Sequence, residues 1–318
     1  MQKILVTGGA GFVGSNLISR LLSLGYDIRA TLHNKDPQIV DSRIEYIQCD
    51  LLNKQDCDEI CKCVDCVVMC AANTSGASVI ENTPLVHVTP NVIVNTLMLD
   101  AAYSNSVQKF VFLSSNTVYP PVEFPVKESD FNGEIYEKYF CVGWMKRFSE
   151  ILCEMYSTKI RRPMNCVIVR PGNLFGEYDD FEWETSHVIP SLIRKVVERH
   201  NPIEVWGDGC DVKDFLYIKD FIDGLIQVIT TDTKGVVNIA KGQSYSIKEI
   251  LQIICEEDGY NNATIVYNSS KPKMIPNRFI DISLAQKMLS FYPSTSLIEG
   301  LRNTIAWFRI QTQQEVPL

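Results

Sequence analysis

The stretch ILVTGGAGFVGSNL, residues 4–17, decides the fold of this chain. An apolar run that predicts a β-strand leads directly into Gly8, Gly11 and Gly14, and the apolar positions that follow recur at helical spacing. In such a unit the first glycine permits a tight turn, the second lets the backbone approach a pyrophosphate, and the third lets helix and strand pack closely. The positive end of the helix then faces the phosphate charge. This stretch therefore predicts a dinucleotide-binding loop.

Strand-like and helix-like segments alternate along the first half of the chain. The alternation predicts an α/β fold of the Rossmann type, a doubly wound parallel sheet covered on both faces, with ligands at the carboxyl ends of the strands. The predicted strands are Lys3–Thr7, Ile28–Leu32, Val67–Cys70, Lys109–Ser114 and Cys166–Arg170, and the predicted helices are Gly11–Leu24, Thr89–Ser104 and Val142–Tyr156.

The regular alternation ends after Asn173, where glycine, proline and acidic residues interrupt the pattern. We therefore expect a dinucleotide-binding domain over residues 1–172 and a smaller α/β substrate-binding lobe on the C-terminal side, mainly over residues 173–318. A further strand, predicted over residues 236–240, returns to the first domain. The boundary between the two units is thus not a single point in the chain.

Composition narrows the class of ligand. The chain has 318 residues, a formal net charge of −8 and 46% hydrophobic residues, which is enough for a sizeable core. A mildly acidic chain without a basic block is a poor match for nucleic acid or an anionic membrane, and no apolar run approaches the length of a membrane span. We expect a small-molecule substrate, with no nucleic-acid and no membrane partner.

The eleven cysteines bear on location and metal binding. The first residues lead straight into a strand, so no signal peptide is expected, and a reducing cytoplasm, where cysteines stay as thiols, is the predicted location. One group of cysteines is dense but lacks the paired Cys-x-x-Cys spacing of a metal site. We expect small side chains that are buried or half-exposed, and no metal, at Cys57, Cys61, Cys63, Cys66 and Cys70.

Further motifs are spread over nearly the whole chain. They are CDLL at residues 49–52, CAAN at 70–73, FLSSNTVYP at 112–120, RPGNLFG at 170–176, VWGDGCDVKDFLYIKD at 205–220 and FIDISLAQKML at 279–289. Together with the glycine loop they resemble the extended short-chain dehydrogenase/reductase superfamily, the nucleotide-sugar epimerases and dehydratases. The resemblance implies NAD or NADP as cofactor, with Asp50 at the adenine. The cofactor-binding residues that it implies are Gly8, Gly11, Phe12, Val13, Gly14, Asp50, Leu51, Ala71, Ala72, Lys146 and Pro171.

The choice between NAD and NADP depends on the end of the second strand, where an acidic residue would bind the ribose hydroxyls. This chain reads ATLHNKD at residues 30–36, without an acid at the strand end. His33 or Lys35 meets a 2′-phosphate in one interpretation and is solvated surface in the other. His33 is therefore a candidate cofactor residue, and the choice of nucleotide stays open.

The segment DDFEWETSHVIPSLIRK, residues 179–195, is similar to the GDP-fucose synthase branch, in which the same Ser-His-Val-Ile-Pro run carries a general acid. This similarity implies that His187 faces the sugar. Lys213 falls where the family has an arginine on the nucleotide diphosphate; a lysine keeps the charge but loses the bidentate contact. Arg278 either supplements Lys213 or is a surface arginine.

Two departures from that family lie next to Ser115, whose hydroxyl is expected to bind the reacting oxygen. Dehydratases carry an acid and a base at the positions of Asn116 and Thr117, neither of which titrates usefully near neutral pH. The GDP-fucose synthase branch needs a cysteine at the position of Thr117, whose hydroxyl is too weakly acidic to replace it. Dehydration and double epimerisation are therefore disfavoured, which leaves hydride transfer at one ring carbon. Asn116 and Asn173 are candidate substrate-binding residues, and Thr117 stays in the catalytic set.

A third departure is in the catalytic helix, where relatives carry Tyr-x-x-x-Lys. Val142 occupies the tyrosine position, while Lys146 is retained and can hold the nicotinamide ribose. Tyr139, three residues earlier, shares the face of Val142 and either swings toward the site or packs in the entry loop. The base that takes the sugar proton is then His187, Tyr139 or a water relayed to Lys146.

These observations favour an NAD(P)-dependent oxidoreductase acting at carbon 4 of a GDP-linked hexose or heptose, in the synthesis of a surface polysaccharide. One alternative is an isomerase in which His187 acts alone as acid and base. Another is a catalytically silent dinucleotide-binding sensor or scaffold. Relatives pair the helices predicted over residues 89–104 and 142–156 across a two-fold axis, and both helices are rich in apolar residues here. We therefore expect a homodimer, or a tetramer of two dimers.

Overall fold

The computed structural model describes residues 2–74, 77–271 and 274–314. Its strands are β1 (Lys3–Thr7), β2 (Asp27–Leu32), β3 (Ile44–Gln48), β4 (Cys66–Met69), β5 (Lys109–Leu113), β6 (Asn165–Pro171), β7 (Asn173–Phe175), β8 (Ile203–Trp206), β9 (Val212–Tyr217), β10 (Gly235–Ile239), β11 (Ser244–Ser246) and β12 (Ile265–Asn268). Its α-helices are α1 (Phe12–Ser23), α2 (Lys54–Ile60), α3 (Ala77–Asn82), α4 (Leu85–Ser104), α5 (Phe140–Thr158), α6 (Val188–Val197), α7 (Ile218–Thr230), α8 (Ile247–Asp258), α9 (Ser283–Leu289) and α10 (Leu297–Gln314).

Seven strands form the central sheet, in the order β10-β6-β5-β4-β1-β2-β3. Every pairing in this sheet is parallel. The chain moves outward from β1 through β2 and β3, then crosses back to β4 on the other side of β1. This reversal opens a crevice at the carboxyl ends of β1 and β4, where ligands bind in folds of this type. The predicted doubly wound parallel sheet is confirmed.

Alternate residues of β1 contribute to two separate cores. Ile4 and Val6 belong to the cluster that includes Leu17 of α1, whereas Leu5 lies in the cluster that includes Met98 of α4. This alternation follows from the two-residue period of a strand. Because helices cover both faces, a central parallel strand is apolar throughout, as β4 is, with all four of its residues buried.

The smaller lobe is built around two minor sheets, β11-β9-β7 and β12-β8. Helices α6, α8 and α10 pack together beside them. The rings of Phe181 and Phe308 stack with centroids 4.3 Å apart. Asp258, at the end of α8, is buried and accepts hydrogen bonds from Arg199 and from Arg309, the latter at 3.0 Å from Nε. These contacts hold the helices of the smaller lobe together.

Helix α4 begins at Leu85, four residues before the predicted start, because Pro90 lies inside the helix rather than at its beginning. Proline has no N–H, so the carbonyl oxygen of Val86 loses its helical partner. The side-chain amide of Asn73 donates to that oxygen at 2.9 Å instead. The prediction failed here because this compensating hydrogen bond comes from a loop outside the helix.

The return of the chain to the first domain involves a helix as well as a strand. The strand predicted over residues 236–240 is β10, which pairs in parallel with β6 at the sheet edge. Helix α7, which precedes it, packs against α1. The segment from residue 218 to residue 239 therefore belongs with the central sheet.

The cysteines form no disulfide, and their exposure varies from buried to exposed, as at Cys63. All eleven cysteines are free, and Cys57, Cys61 and Cys66 are buried. Among the described residues, no cluster of His, Cys, Asp and Glu side chains is suited to a metal ion. Within the same ranges, no helix combines the length and apolar character that crossing a membrane requires.

Candidate active site

The loop between β1 and α1 brings the backbone close to the end of β4. Gly8 has a φ of +69°, and a Cβ at this position would lie 2.9 Å from the Cα of Ala71, so a larger residue does not fit. A Cβ on Gly14 would lie 2.2 Å from the carbonyl oxygen of Gly8, which means that α1 packs directly on the loop. Gly11 precedes α1 without any side-chain cap. The first amides of α1 are therefore free to bind an anion.

Two threonines hold the glycine loop against the neighbouring strands. The hydroxyl of Thr7 accepts a hydrogen bond from the amide of Ala71 at 3.0 Å, and the amide of Gly8 donates to the hydroxyl of Thr31 at 2.9 Å. The ends of β1, β2 and β4 are thereby fixed relative to one another. The glycine loop leaves a space that any side chain would fill, and this space lies next to unpaired amides of the helix. Such a space fits the pyrophosphate of a dinucleotide.

The other residues expected at the cofactor surround this crevice. Phe12 and Val13 begin α1 and are half-buried against the core. His33 follows β2 and is exposed, while Asp50 follows β3, also exposed, beside the half-buried Leu51. A carboxylate oxygen of Asp50 accepts from the amide of Leu52 at 2.9 Å, which fixes its direction.

Lys146 and Ser115 meet at the carboxyl end of β5. The ammonium group of Lys146 donates to the carbonyl oxygen of Leu113 at 2.8 Å, and burial lowers its pKa to about 8, against the opposing charge of Glu150. The hydroxyl oxygen of Ser115 accepts from the amide of Thr117 at 3.1 Å and from its hydroxyl at 3.0 Å. Val142, one turn before Lys146, is buried. The predicted Ser115, Thr117 and Lys146 are thus brought together.

A buried ion pair supports the helix that carries Lys146. Glu150 is fully buried and accepts from Arg170 at 2.8 and 2.7 Å, from Ser114 at 2.5 Å and from Arg147 at 3.0 Å. Burial by itself raises the pKa of Glu150, but these hydrogen bonds and charges outweigh it and hold the pKa below its usual range. The role of Arg170 was not predicted, since its position in an apolar strand does not reveal its partner.

Two asparagines predicted to bind substrate are engaged with the backbone. The side-chain amide of Asn116 donates to the carbonyl oxygen of Pro171 at 3.0 Å. That of Asn173 donates to the carbonyl oxygen of Asp214 at 2.9 Å. Asn116 thus ties the turn after β5 to the end of β6 at Pro171, and Asn173 ties β7 to β9. Each keeps its side-chain oxygen as an acceptor for a ligand.

Both predicted diphosphate cations contact the protein itself. The ammonium group of Lys213 reaches the carbonyl oxygens of Ile275 and Pro276, the second at 3.2 Å. The interpretation of Arg278 as a surface residue is wrong, because only 1% of it is exposed. Its guanidinium group donates to the carbonyl oxygens of Pro120 and Tyr119, at 3.0 and 3.1 Å. Arg278 therefore joins the smaller lobe to the segment that follows Ser115.

Tyr139 packs toward the smaller lobe. Burial raises its pKa to about 12, and its neighbours include Arg278 and the backbone of Ile275. Its ring meets that of Tyr136 edge to face, with centroids 5.8 Å apart. A phenol with a raised pKa is a poor general base near neutral pH, so the packing interpretation of Tyr139 has the stronger support.

His187 directly precedes α6 and is exposed. Its pKa is lowered because the protein around it solvates the imidazolium poorly; Asp180 opposes this effect and His87 adds to it. His87, on the first turn of α4, is a histidine that the sequence analysis did not consider. It is 2% exposed, and its Nδ1 lies 2.9 Å from the carbonyl oxygen of Asn73. These two histidines, far apart in the chain, are thus within range of a charge interaction.

Comparison with known proteins assigns the family. Residues 4–240 match the model of the NAD dependent epimerase/dehydratase family. This match covers well over half of the chain, so the protein belongs to that family. It is an NAD(P)-dependent enzyme of the short-chain dehydrogenase type.

Individual relatives match over almost the full length. GDP-L-fucose synthase of Escherichia coli strain K12 is 28% identical, with 96% of each chain covered. GDP-mannose 3,5-epimerase 1 of Oryza sativa subsp. indica is 27% identical, over 98% of this chain and 83% of the relative. The crystal structure of UDP-glucuronic acid 4-epimerase from Bacillus cereus, in complex with UDP-glucuronic acid and NAD, superposes with a TM-score of 0.86 at 27% identity, over 98% of this chain and 100% of the other.

Proposed function

We propose that the protein oxidises or reduces carbon 4 of a GDP-linked hexose or heptose, with NAD or NADP, by a base other than the usual tyrosine. The names of the relatives support a nucleotide-sugar substrate, and the fucose synthase relative supports GDP as its nucleotide. We further propose that the reaction serves surface-polysaccharide synthesis in the cytoplasm.

The orientation of Ser115 carries this proposal. Its oxygen accepts two hydrogen bonds from Thr117, so its own hydrogen is left for a different acceptor. A substrate oxygen at the crevice is such an acceptor. Lys146, on the adjacent helix, holds a positive charge beside the same strand end. A protein that only sensed a dinucleotide would have little use for a hydroxyl with a hydrogen to donate next to a cation.

The cofactor would be held by the glycine loop, by the first amides of α1 and by Lys146. When bound, the nicotinamide takes up a hydride from the carbon that is oxidised, or returns one to the carbon that is reduced. The chain itself must move one proton at the sugar hydroxyl. We assign this step to His187, because the residue is exposed, the charge of Asp180 acts on its ring, and its lowered pKa keeps it neutral, and so able to accept a proton, near pH 7.

The test is an assay of the purified protein with NAD or NADP and a panel of GDP-hexoses and GDP-heptoses, in which reduced nicotinamide is followed by absorbance. Mass spectrometry of nucleotides and sugars that co-purify would select the panel. Incorporation of deuterium from the solvent at a ring carbon next to carbon 4 would instead support the isomerase alternative. No turnover of any GDP-sugar, by the wild type or by Val142→Tyr, would support the silent binder.

We also propose a homodimer formed through α4 and α5. An exposed apolar stripe follows one face of α5 at helical spacing, formed by Phe140, Trp144, Phe148, Ile151 and Met155. Exposed Ile93 lies on the adjacent α4. Light scattering should give twice the chain mass, and Phe148→Glu should give a monomer. Tyr292→Glu, at an exposed aromatic residue outside this face, should leave the dimer intact; a monomeric wild type would reject the proposal.

A further inference from the structure

Asn16 of α1 joins the cofactor helix to a segment that follows 161 positions later in the chain. The residue is 9% exposed, and its side-chain amide uses both of its hydrogens. One is donated to the carbonyl oxygen of Phe12 at 2.9 Å, and the other to the carbonyl oxygen of Glu177 at 2.8 Å. Because Phe12 is the first residue of α1, Asn16 ties Glu177 to the end of the helix at which we expect the pyrophosphate.

The side chain of Glu177 is held by a second part of the fold, where β9 passes into α7. Its two carboxylate oxygens lie 2.8 and 2.9 Å from the phenol of Tyr217, which donates to them, and the ammonium group of Lys219 lies 2.8 Å from one of them. The preceding Gly176 has a φ of +152°, and a Cβ there would lie 2.3 Å from Cγ2 of Ile218. Glu177 is therefore fixed between α1 and the start of α7.

The chain leaves Glu177 in a sharp turn. Tyr178 has a φ of +66°, a left-handed conformation that residues other than glycine seldom adopt. Its ring packs edge to face against that of Trp307, with centroids 5.4 Å apart. Residues 178–187, which we call the His187 loop, then lead to His187 at the start of α6.

The His187 loop is held together by its own hydrogen bonds. The carboxylate of Asp180 accepts from the amide of Glu182 at 2.9 Å and from the hydroxyl of Thr185 at 2.5 Å. The amide of Ser186 donates to the carbonyl oxygen of Glu182 at 2.9 Å. Because these bonds link the early part of the loop to the residue before His187, a displacement at the start of the loop carries over to His187.

The first turn of α1 is the part of this chain of contacts that the cofactor can change. Gly11 precedes α1 and has no side chain with which to cap it, so the first amides of the helix are left for an anion. We expect this turn to fray until a pyrophosphate binds those amides. Asn16 depends on the same turn, since one of its two hydrogen bonds is to Phe12.

We propose that Asn16 and Glu177 are positioning residues that couple the two sides of the crevice: once the first amides of α1 hold a dinucleotide, Asn16 is ordered, and through Glu177 it orders the His187 loop. This inference rests on the proposed function, because it treats the loop as part of the sugar site. A loop that is already ordered loses less entropy when a nucleotide sugar binds. Each ligand should therefore strengthen the binding of the other by the same factor.

The first experiment measures amide hydrogen exchange in the His187 loop by mass spectrometry, with and without saturating NAD. In the wild type, NAD should slow this exchange roughly fivefold or more, since the loop opens less often. In Asn16→Ala the link from Phe12 to Glu177 is gone, and NAD should leave the exchange of the loop unchanged.

Asn105→Ala is the matched control. Asn105 also donates one hydrogen to the carbonyl oxygen four residues earlier, that of Ala101 at 2.9 Å, and one to a distant carbonyl oxygen, that of Asp58 at 3.3 Å. It lies shortly before β5 begins, at the edge of the sheet opposite the crevice. NAD should slow exchange of the His187 loop in this variant as it does in the wild type.

Tyr217→Phe provides a second variant in case Asn16→Ala does not fold. It removes the phenol that binds the carboxylate of Glu177 and keeps the ring that packs against Phe175. We expect NAD to slow exchange of the His187 loop less in Tyr217→Phe than in the wild type. Equal slowing in the two proteins would contradict a role for Glu177.

The second experiment measures the dissociation constant of GDP-mannose, used as the probe, by calorimetry without and with saturating NAD. NAD should tighten GDP-mannose binding roughly fivefold to tenfold in the wild type and in Asn105→Ala, and less than twofold in Asn16→Ala. The unfolding temperature should fall in both variants, because each loses a hydrogen-bonding amide. Loss of stability would then not explain a difference in coupling between them.

The inference is overturned if NAD does not slow exchange of the loop in the wild type, or slows it equally in Asn16→Ala. It is also overturned if Asn105→Ala loses the effect, since a general loosening of the fold would then account for it. The proposed function fails separately, through the absence of turnover of any GDP-sugar. If GDP-mannose does not bind, the exchange measured with NAD alone decides the coupling.

Discussion

The two sides of the crevice differ in whether backbone or side chains line them. The cofactor side consists of backbone, in which Gly8, Gly11 and Gly14 admit the main chain where side chains would collide. The opposite side, which we propose to bind the sugar and call the sugar side, consists of side chains from distant segments, held by hydrogen bonds to one another and to carbonyl oxygens. The cofactor side tolerates any substitution that places no atom in the space left open by the glycines. The sugar side depends on individual groups, and it is here that, by our proposal, Val142 stands in place of the usual phenol.

This difference teaches where the chemistry of the chain can diverge. Three glycines are enough to preserve the backbone loop that binds the dinucleotide, while the reacting groups beside it change. Substitutions on the sugar side should therefore affect turnover, and those on the cofactor side should affect binding. The following predictions would sharpen that division or break it.

The largest effect is expected at His187. His187→Asn should reduce the turnover number by roughly two to four orders of magnitude, because a proton-transfer group is lost. Tyr139→Phe should stay near the wild-type rate, since its phenol has a pKa of about 12 and packs toward the smaller lobe. The measurement is steady-state kinetics with the GDP-sugar that the wild type accepts. Near-normal turnover in both variants would point to a water relayed to Lys146.

The next effect concerns stability on the sugar side. Arg170→Met should lower the free energy of unfolding by about 3–5 kcal/mol, because it leaves Glu150 charged and buried without its main partner. Arg162→Met, at an exposed arginine, should change little. Denaturant unfolding at pH 7 measures both.

The ion pair of Arg170 and Glu150 also makes the free energy of unfolding depend on pH, and the direction of this dependence can be predicted. The pKa of Glu150 lies below its usual range in the folded protein. Its contribution to stability is therefore complete at a pH above the pKa of a glutamate in the unfolded chain, about 4. It is lost as the pH falls through the lower pKa that Glu150 has in the folded protein. A loss of stability for Arg170→Met that is equal at pH 7 and in strong acid would contradict this account.

A smaller effect, confined to binding, is expected on the cofactor side. Gly11→Val should weaken dinucleotide affinity roughly a hundredfold while the fold persists, because the side chain occupies the place of the pyrophosphate. A Cβ alone would already approach the carbonyl oxygen of Gly8 to 3.3 Å. Ser23→Val, at the exposed far end of the same helix, is the matched control. Calorimetry that gives equal affinities for wild type and Gly11→Val would refute the loop assignment.

The smallest effect is a gain in stability near the sugar side. One carboxylate oxygen of Asp179 is buried without a partner, and burial raises its pKa to about 8. Asp179→Asn should therefore raise the free energy of unfolding by about 1–3 kcal/mol at pH 8. The gain should vanish in acid, below about pH 4, where the aspartate is protonated in both states. Thermal unfolding across this range checks the prediction, and a gain that is independent of pH would contradict it.

Most of the correctly predicted helices and strands follow from local patterns in the sequence. The bounds of β1 match the prediction, and α1, β4, β5 and β6 differ from it by one or two residues. These elements are specified by apolar periodicity and by glycines within a short window of sequence. The start of α4 could not be found in this way, because Asn73 pairs the carbonyl that Pro90 leaves free.

The sequence by itself determined the parallel sheet, the dinucleotide loop and the residues that stand beside it, because each rests on local geometry. Only the tertiary structure decided the rest of the site. It buried Arg278, turned Tyr139 toward the smaller lobe and joined Arg170 to Glu150. Those relations join side chains from separate segments of the chain, and their strength depends on burial and orientation, which no spacing along the sequence encodes.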